Sequence, residues 1–208
     1  MKERFITRNL SKLFYIKKTC ISFFEPVNVE KGRLDTFEPI TTISTNFKNW
    51  RAMLDLKTCI DCRSRHDQVY AMDEIVDLEP LLHNNCRCDI IPLESVSAGD
   101  ATKNGKEGAD YWLKYYGALL EYYISKNVAK TLGWRQGKSP STFAPDKMIT
   151  GGIYENSNGH LPDAPGRVWH EADINYYEGK RNGHRVLWSN DGLIFATYDH
   201  YTTFYEII

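Results

Sequence analysis

Five polar side chains in the second half of the chain could perform acid–base chemistry on a phosphodiester. They are one carboxylate, one histidine and three cations: Glu171, His200, Lys126, Arg181 and Arg185. Cleavage of RNA without a metal needs a base for the 2′-hydroxyl proton, an acid for the 5′-oxygen and cations for the phosphorane oxyanions. A histidine suits the acid role because an anionic substrate raises its reference pKa of about 6.5. The set therefore predicts metal-free cleavage of RNA, with no cofactor for catalysis.

Local sequence patterns place these five residues on four elements. Glu171 falls within an alternating strand, Lys126 begins a short helix, and Arg181 and Arg185 have the even spacing that puts both on one face of a strand. His200 lies at a turn between two strands. Taken singly, each residue also has a simpler interpretation, as a solvated carboxylate, a solvated basic edge or a structural turn residue. A lysine in the first turn of a helix is disfavoured by the helix dipole, so we expect an anion beside Lys126.

The elements that carry these residues predict an α+β fold in which N-terminal helices pack on an antiparallel β-sheet. Apolar residues recur at steps of three and four, which predicts an amphipathic helix from about Ala109 to Tyr122. A shorter helix is predicted between Ser125, a good N-cap, and Gly133, a good terminator. Residues beyond Ile149 have the pattern of strands, and Asp191-Gly192 predicts a hairpin turn.

A cluster of cysteine and histidine residues lies in the first half of the chain. Its spacing is Cys59-x2-Cys62, then twenty residues, then His83-x2-Cys86-x-Cys88. Paired thiolates with a second ligand pair downstream are typical of a structural zinc site, which needs four of these five residues. Disulfide bonds and free thiols remain alternatives.

Composition and charge give the domain organisation. The chain has 208 residues, 42% of them apolar and 25% charged, with a net charge of −1. These values exclude a disordered or coiled-coil protein and a strongly basic nucleic-acid coat. We predict an unassigned segment at 1–48, a Cys/His-rich module at 49–92, a linker at 93–107 and a second domain at 108–208. Apolar runs near the N-terminus are too short for a signal peptide or a membrane span, so we expect no membrane association.

The second domain resembles the barnase-like bacterial guanyl-specific ribonucleases. Long collinear motifs carry the resemblance: YISK at 123–126, GRVWHEADINY at 166–176 and DHY at 199–201. The resemblance implies Glu171 as general base and His200 as general acid, with the three cations on the phosphate and Tyr201 in support. The first product would be a 2′,3′-cyclic phosphate. It further implies a secreted or delivered toxin outside the cell and an acidic, barstar-like immunity protein as partner, although cytoplasmic retention remains open.

The resemblance also places base recognition at Asn156, Ser157 and Asn158. The family has asparagine, arginine and glutamate at these positions, and the glutamate holds the Watson–Crick edge of guanine. An amide at Asn158 can still hydrogen-bond a base, but it cannot accept two donors as a carboxylate does. The base preference is therefore left open. Gly152 stands where the family has an aspartate.

The Cys/His-rich module is similar to a segment of phage Mu F-like minor head proteins, through KTCxxCR at 57–63 and PLLHxxCRC at 80–88. That similarity implies a packaging or delivery role. Two further functions remain as alternatives. The first is a virion structural or adaptor protein whose nuclease-like domain is inactive and only binds RNA. The second is a zinc-dependent nucleic-acid-binding module at 50–92.

Overall fold

A nine-stranded β-sheet is the main element of the described part of the chain. The computed structural model describes residues 37–76 and 83–208, and residues 37–208 form one compact unit. Residues 1–36 of the predicted N-terminal segment 1–48 therefore lie outside the described residues. The strands are β1 Thr42–Arg51, β2 Val69–Ala71, β3 Asp89–Val96, β4 Tyr123–Ser125, β5 Met148–Tyr154, β6 Trp169–Asp173, β7 Arg185–Ser189, β8 Ile194–Thr197 and β9 Tyr205–Ile207.

Within residues 37–76 and 83–208, three short helices accompany the sheet, which confirms the α+β class. They are α1 Ile60–Ser64, α2 Ala109–Tyr116 and α3 Lys126–Thr131, with single 3₁₀ turns at Gly105–Glu107 and Pro140–Thr142. No helix within residues 37–76 or 83–208 is both long enough and apolar enough to cross a membrane.

The strand order is β2-β1-β3-β9-β8-β7-β6-β5-β4. Neighbouring strands are antiparallel except for two pairs, β3 with β9 and β4 with β5. The sheet is therefore mixed, whereas the sequence predicted an antiparallel one. Parallel pairs require a crossover connection. Helix α3 lies between β4 and β5, and most of the second half of the chain lies between β3 and β9.

The two predicted helices are present, and one is shorter than expected. Helix α2 ends at Tyr116 instead of Tyr122, because Gly117 adopts a left-handed conformation with φ of 66°. Helix α3 has the predicted termini: the Ser125 hydroxyl accepts a hydrogen bond from the Val128 amide, and Gly133 has φ of 98°. The predicted hairpin also forms, between β7 and β8.

The segment predicted as a linker is ordered in the structure. Leu93–Val96 forms the end of β3, so this strand and the downstream strands share one sheet. The following turns are fixed by Asp110, whose buried carboxylate accepts hydrogen bonds from the amides of Gly99 and Ala101 at 2.7 and 3.0 Å. The Thr102 hydroxyl donates a third bond at 2.9 Å. The small and polar residues of this segment supply the amides and the hydroxyl that hydrogen-bond to the buried Asp110 carboxylate. This role explains why the segment has a composition typical of a flexible linker.

Apolar side chains cover both faces of the sheet. One core packs beneath α2 and includes Leu113, Val186 and Ile207. The other contains residues from the N-terminal strands and from the second half of the chain: Phe47, Val69, Leu93, Leu161, Trp169, Leu187, Phe195 and Phe204. Strand β6, which carries Glu171, therefore lies in a sheet that is packed on both faces.

Candidate active site

The Glu171 carboxylate lies on strand β6, between β5 and β7, and is largely buried. Its Oε1 lies 3.3 Å from the Lys126 Nζ, and its Oε2 accepts a hydrogen bond from the Tyr201 hydroxyl. This carboxylate is the anion beside Lys126 in the structure, and a bound anion such as phosphate at the start of α3 stays a prediction. A side chain at Gly151 would place its Cβ 1.9 Å from Oε1, so only glycine leaves room for this carboxylate.

A tight turn between β8 and β9 presents His200 and Tyr201. Both residues have positive φ, 59° and 72°, so the turn needs strong local support. Asp199 supplies it, because its carboxylate accepts hydrogen bonds from the Thr197 hydroxyl at 3.0 Å and the Thr203 amide at 2.9 Å. Burial alone would raise the pKa of Asp199, but the hydrogen bonds from Thr203 and Thr197 bring it below the usual value.

Tyr201 is a hydrogen-bond donor to the candidate base. Burial, together with the hydrogen bond to the Glu171 carboxylate, raises the pKa of Tyr201 far above that of a free tyrosine. The phenol therefore keeps its proton. The ring stacks on Tyr154 with centroids 5.2 Å apart, and it lies 4.7 Å from the exposed His200 ring. Tyr201 thereby connects Glu171 with His200.

Arg181 and Arg185 share a fully buried carboxylate, Asp173. The Arg181 Nε and Nη2 donate to its two oxygens at 2.6 and 2.5 Å, and the Arg185 Nε lies 3.2 Å from Oδ1. Burial opposes the charge of Arg181, but the hydrogen bonds to Asp173 raise its pKa. The Arg181 guanidinium is therefore held as a cation before any substrate binds.

A cleft of about 650 Å³ opens beside these groups. Its lining includes three of the predicted catalytic residues, Arg181, Arg185 and His200, together with Lys138 and Lys180. The structure thus brings the five predicted catalytic residues into two groups. Lys126 lies at the Glu171 carboxylate, and the other three line the cleft. Tyr201 connects the two groups.

Sequence reasoning missed three charged residues around this cleft. Asp173 could have been found, since it pairs in register with Arg185 on the next strand, β7. Lys138 lies in a loop and Lys180 in a turn, where no periodic pattern identifies them.

The predicted base-contacting loop lies at 156–161, after β5. The Asn156 side chain closes this loop, because its amide donates to the Leu161 carbonyl at 2.9 Å and accepts from the Leu161 amide at 3.0 Å. Ser157 is exposed. The Asn158 amide nitrogen lies 3.0 Å from the His160 Nδ1, and its oxygen accepts from the Tyr154 hydroxyl at 3.4 Å. The Asn156 side chain therefore holds the loop together, and the Ser157 and Asn158 side chains remain at the surface.

The five candidate metal ligands converge around α1. One group of donor atoms comprises Cys59, Cys62 and His83, and a second comprises Cys62, Cys86 and Cys88; within each group the atoms lie within 4.8 Å of one another. These four cysteines form no disulfide in the structure. Their thiols and the His83 ring nitrogen are the donors that zinc prefers.

Comparison with known proteins gives the family of this chain. A family model described as ribonuclease matches residues 112–208. A ribonuclease from Heyndrickxia coagulans is 47% identical over 100 residues, which cover 48% of this chain and 91% of that protein. Ribonucleases from Bacillus intermedius and Bacillus pumilus are also 47% identical over 100 residues, and the match spans only 61% of their lengths. The match covers β4 to β9, the strands that carry Glu171 and its neighbours, and on this evidence the chain belongs to the ribonuclease family.

Proposed function

We propose that this protein is an endoribonuclease that cleaves single-stranded RNA by transphosphorylation, without a metal. The observation that carries the proposal is the buried Glu171 carboxylate, which is bound by Lys126 and Tyr201 beside a cleft lined by Arg181, Arg185 and His200. A carboxylate and a histidine next to fixed cations can transfer two protons and stabilise the charge that develops on phosphorus.

The proposed first step forms a 2′,3′-cyclic phosphate. Glu171 takes the proton of the ribose 2′-hydroxyl, the 2′-oxygen forms a bond to phosphorus, and the bond to the 5′-oxygen breaks. His200 donates its proton to that departing oxygen. In the second step water opens the cyclic phosphate, with His200 as base and Glu171 as acid. Each group therefore ends the cycle in its starting protonation state.

The cations have a separate role in this mechanism. Lys126, Arg181 and Arg185 would contact the phosphate oxygens as negative charge grows on them. Asp173 holds the Arg181 guanidinium, and the carbonyls of Asn182 and His184 hold that of Arg185, so little reorganisation is needed in the transition state. Tyr201 would keep the Glu171 carboxylate oriented toward the 2′-hydroxyl.

The proposal also includes recognition of the RNA base by the loop 156–161. Ser157 and Asn158 would contact the base, and Asn156 would hold the loop that presents them. Guanine preference requires that this loop still recognises guanine with an amide at Asn158. Cut sites mapped on an RNA of mixed sequence test it: cuts confined to guanosines support the preference, and cuts after all four bases contradict it.

The biological setting is also proposed. The cleft lined by Lys138, Lys180, Arg181 and Arg185 is electrostatically complementary to an acidic protein, so a barstar-like immunity protein would cover it. A ribonuclease that needs such an inhibitor would act as a secreted or delivered toxin. Residues 49–92, with their similarity to phage minor head proteins, would serve packaging or delivery.

Cleavage of a fluorescently labelled RNA by the full chain tests the activity. We expect Glu171→Gln and His200→Gln each to lower the rate about 10²- to 10⁴-fold. Glu178→Gln is a matched control, because Glu178 is exposed and belongs to neither group of site residues. A folded wild-type protein without activity would contradict the proposal and favour the inactive adaptor. Site variants as active as the control would contradict the roles assigned to Glu171 and His200.

A further inference from the structure

We propose that Cys59, Cys62, His83 and one of the pair Cys86 and Cys88 bind a structural Zn²⁺ ion. We further propose that this ion fixes the chain segment on which the loop 156–161 rests. The metal site stands independently of the activity. Only the effect on RNA binding rests on the proposed function.

The donor atoms already have nearly the spacing of a tetrahedral zinc site. Bond lengths of about 2.3 Å to sulfur and about 2.0 Å to nitrogen require edges of about 3.8 Å between two sulfurs and about 3.5 Å between sulfur and nitrogen. The Cys62 and Cys86 sulfurs are 3.7 Å apart, and the His83 Nε2 lies 3.2 Å from the Cys59 sulfur and 3.4 Å from the Cys62 sulfur. Cys62 is the common member of both donor groups.

The imidazole of His83 is oriented as a metal ligand. Its Nδ1 lies 2.9 Å from the Asn84 carbonyl, and because a carbonyl can only accept, Nδ1 carries the proton. Nε2 is then left with its lone pair facing the cysteines. Such a second hydrogen bond is typical of zinc-binding histidines, because it sets the tautomer and the ring orientation. The Cys62 amide likewise donates to the Cys59 sulfur, at 3.4 Å.

The surroundings of the cluster suit a charged metal centre. Zn²⁺ with three thiolates and one neutral histidine has a net charge of −1. A cavity of about 20 Å³ at the site is lined by Cys59, Cys62, His83 and Cys88, and also by the basic residues Lys57 and Arg87. Cys62 and Cys86 are buried against Trp50, Ala52 and Val76.

A short, hydrogen-bonded path leads from the metal site to the loop 156–161. Helix α1 contains Cys62, and the chain then enters β2 at Val69. Backbone bonds tie this path to β1: the Trp50 amide donates to the Gln68 carbonyl at 3.0 Å, and the Asp67 amide donates to the Trp50 carbonyl at 2.9 Å. The Val69 amide then donates to the His160 carbonyl at 2.8 Å.

This last hydrogen bond places β2 directly behind the predicted base-contacting loop. His160 also bonds to Asn158 through its side chain, at 3.0 Å, and the Val69 side chain shares a core with Leu161. Because β2 is an edge strand of only three residues, it has few other contacts in the sheet. Loss of the metal would free α1 and the start of β2, and the loop would lose its support. Cys59 and Cys62 are therefore positioning residues for this loop.

Zinc content of the purified full chain tests the site. We expect about one zinc per chain in the wild type and its loss in Cys62→Ser. The control Asp61→Asn changes an exposed residue of the same helix and should keep the metal. Of Cys86→Ser and Cys88→Ser, one should lose zinc and the other should retain it. A wild type that binds no zinc, or retention of zinc in both of these variants or in Cys62→Ser, overturns the ligand set.

Amide hydrogen exchange tests the effect on the loop without relying on activity or on a variant that fails to fold. When a chelator removes the metal from the wild type, exchange of residues 66–72 and 156–161 should rise about tenfold, while β7 stays protected. Zinc addition should reverse the change. The KM for RNA should rise with kcat little changed. If zinc binds but exchange of the loop is unaltered, the positioning role is wrong. If the protein proves inactive, the proposed function is refuted, but zinc content and hydrogen exchange still test the metal site and its effect on the loop.

Discussion

The buried carboxylate of Asp173 provides a quantitative test of the site, through the substitution Asp173→Asn. Asparagine keeps the size of the side chain and removes its charge. The side chain of Asp173 is 0% exposed and that of Arg185 is 4% exposed, whereas Arg181 is 24% exposed. Arg181 can therefore turn toward solvent, but Arg185 would stay in the protein as a cation without a counterion. Breaking a buried ion pair in this way costs about 3–5 kcal/mol of unfolding free energy.

Urea unfolding of the full chain measures this loss, with Asp191→Asn as the matched control. Asp191 also pairs with an arginine, Arg167, at 2.8 Å, but its side chain is 45% exposed. Exposed pairs contribute about 0.2–1 kcal/mol, so the two variants should differ by about 2 kcal/mol or more. RNA cleavage by Asp173→Asn should also fall, because Arg181 loses the carboxylate that orients it. Equal losses of stability in both variants would refute the argument from burial.

Two further predictions concern a glycine and a surface aspartate. Gly151→Ala should lower the rate of RNA cleavage about 100-fold, because the new Cβ would lie 1.9 Å from the Glu171 Oε1 and displace the base. The control is Gly152→Ala, because no atom beyond its chain neighbours lies within 4 Å of the added Cβ. This variant should lose stability alone, since Gly152 has φ of 88°. Equal rates of RNA cleavage for the two variants would contradict the prediction. Hydrogen bonds from Arg167 lower the pKa of Asp191 from 3.8 to about 2, so this pair stabilises the fold above about pH 4 and loses its effect as the pH falls through about 2. The difference in unfolding free energy between the wild type and Asp191→Asn should therefore shrink over that range, and a difference that grows on acidification would be evidence against it.

Local signals in the sequence predicted the local elements well. Ser125 and Gly133 act within one or two turns of backbone, and both helix ends appear where these residues predicted them. The same physics explains the shortened helix α2. Its apolar spacing continues past residue 116, but Gly117 gives the backbone a left-handed turn that spacing alone does not reveal. A capping residue therefore outweighed the periodicity.

The reactive groups of the candidate site were predictable from the sequence. The residues that hold them in place were less predictable. Glu171, His200, Lys126, Arg181 and Arg185 were identified by type and motif, and the structure brings them to one region. No local pattern identifies Asp173, because its burial depends on the pairing of β6 with β7. The sequence predicts Asn156 as a contact of the base, whereas in the structure its side-chain amide bonds to Leu161. Both differences arise from contacts between residues that no local pattern connects.

The predicted division of the chain into two units also missed contacts between residues that are distant in the sequence. Composition separates a cysteine-bearing part from an aromatic part, but β3 pairs with the terminal strand β9. The Glu206 carboxylate on β9 is buried and bonds to two residues of the N-terminal strand β1, the Ser44 hydroxyl and the Asn46 amide. A ribonuclease fragment that began at residue 108 would leave this carboxylate without these partners and would expose Leu161, Trp169 and Phe195. Because an open apolar face is costly, strands β1 to β3 contribute to the stability of the ribonuclease-family half as well as flanking the candidate metal ligands.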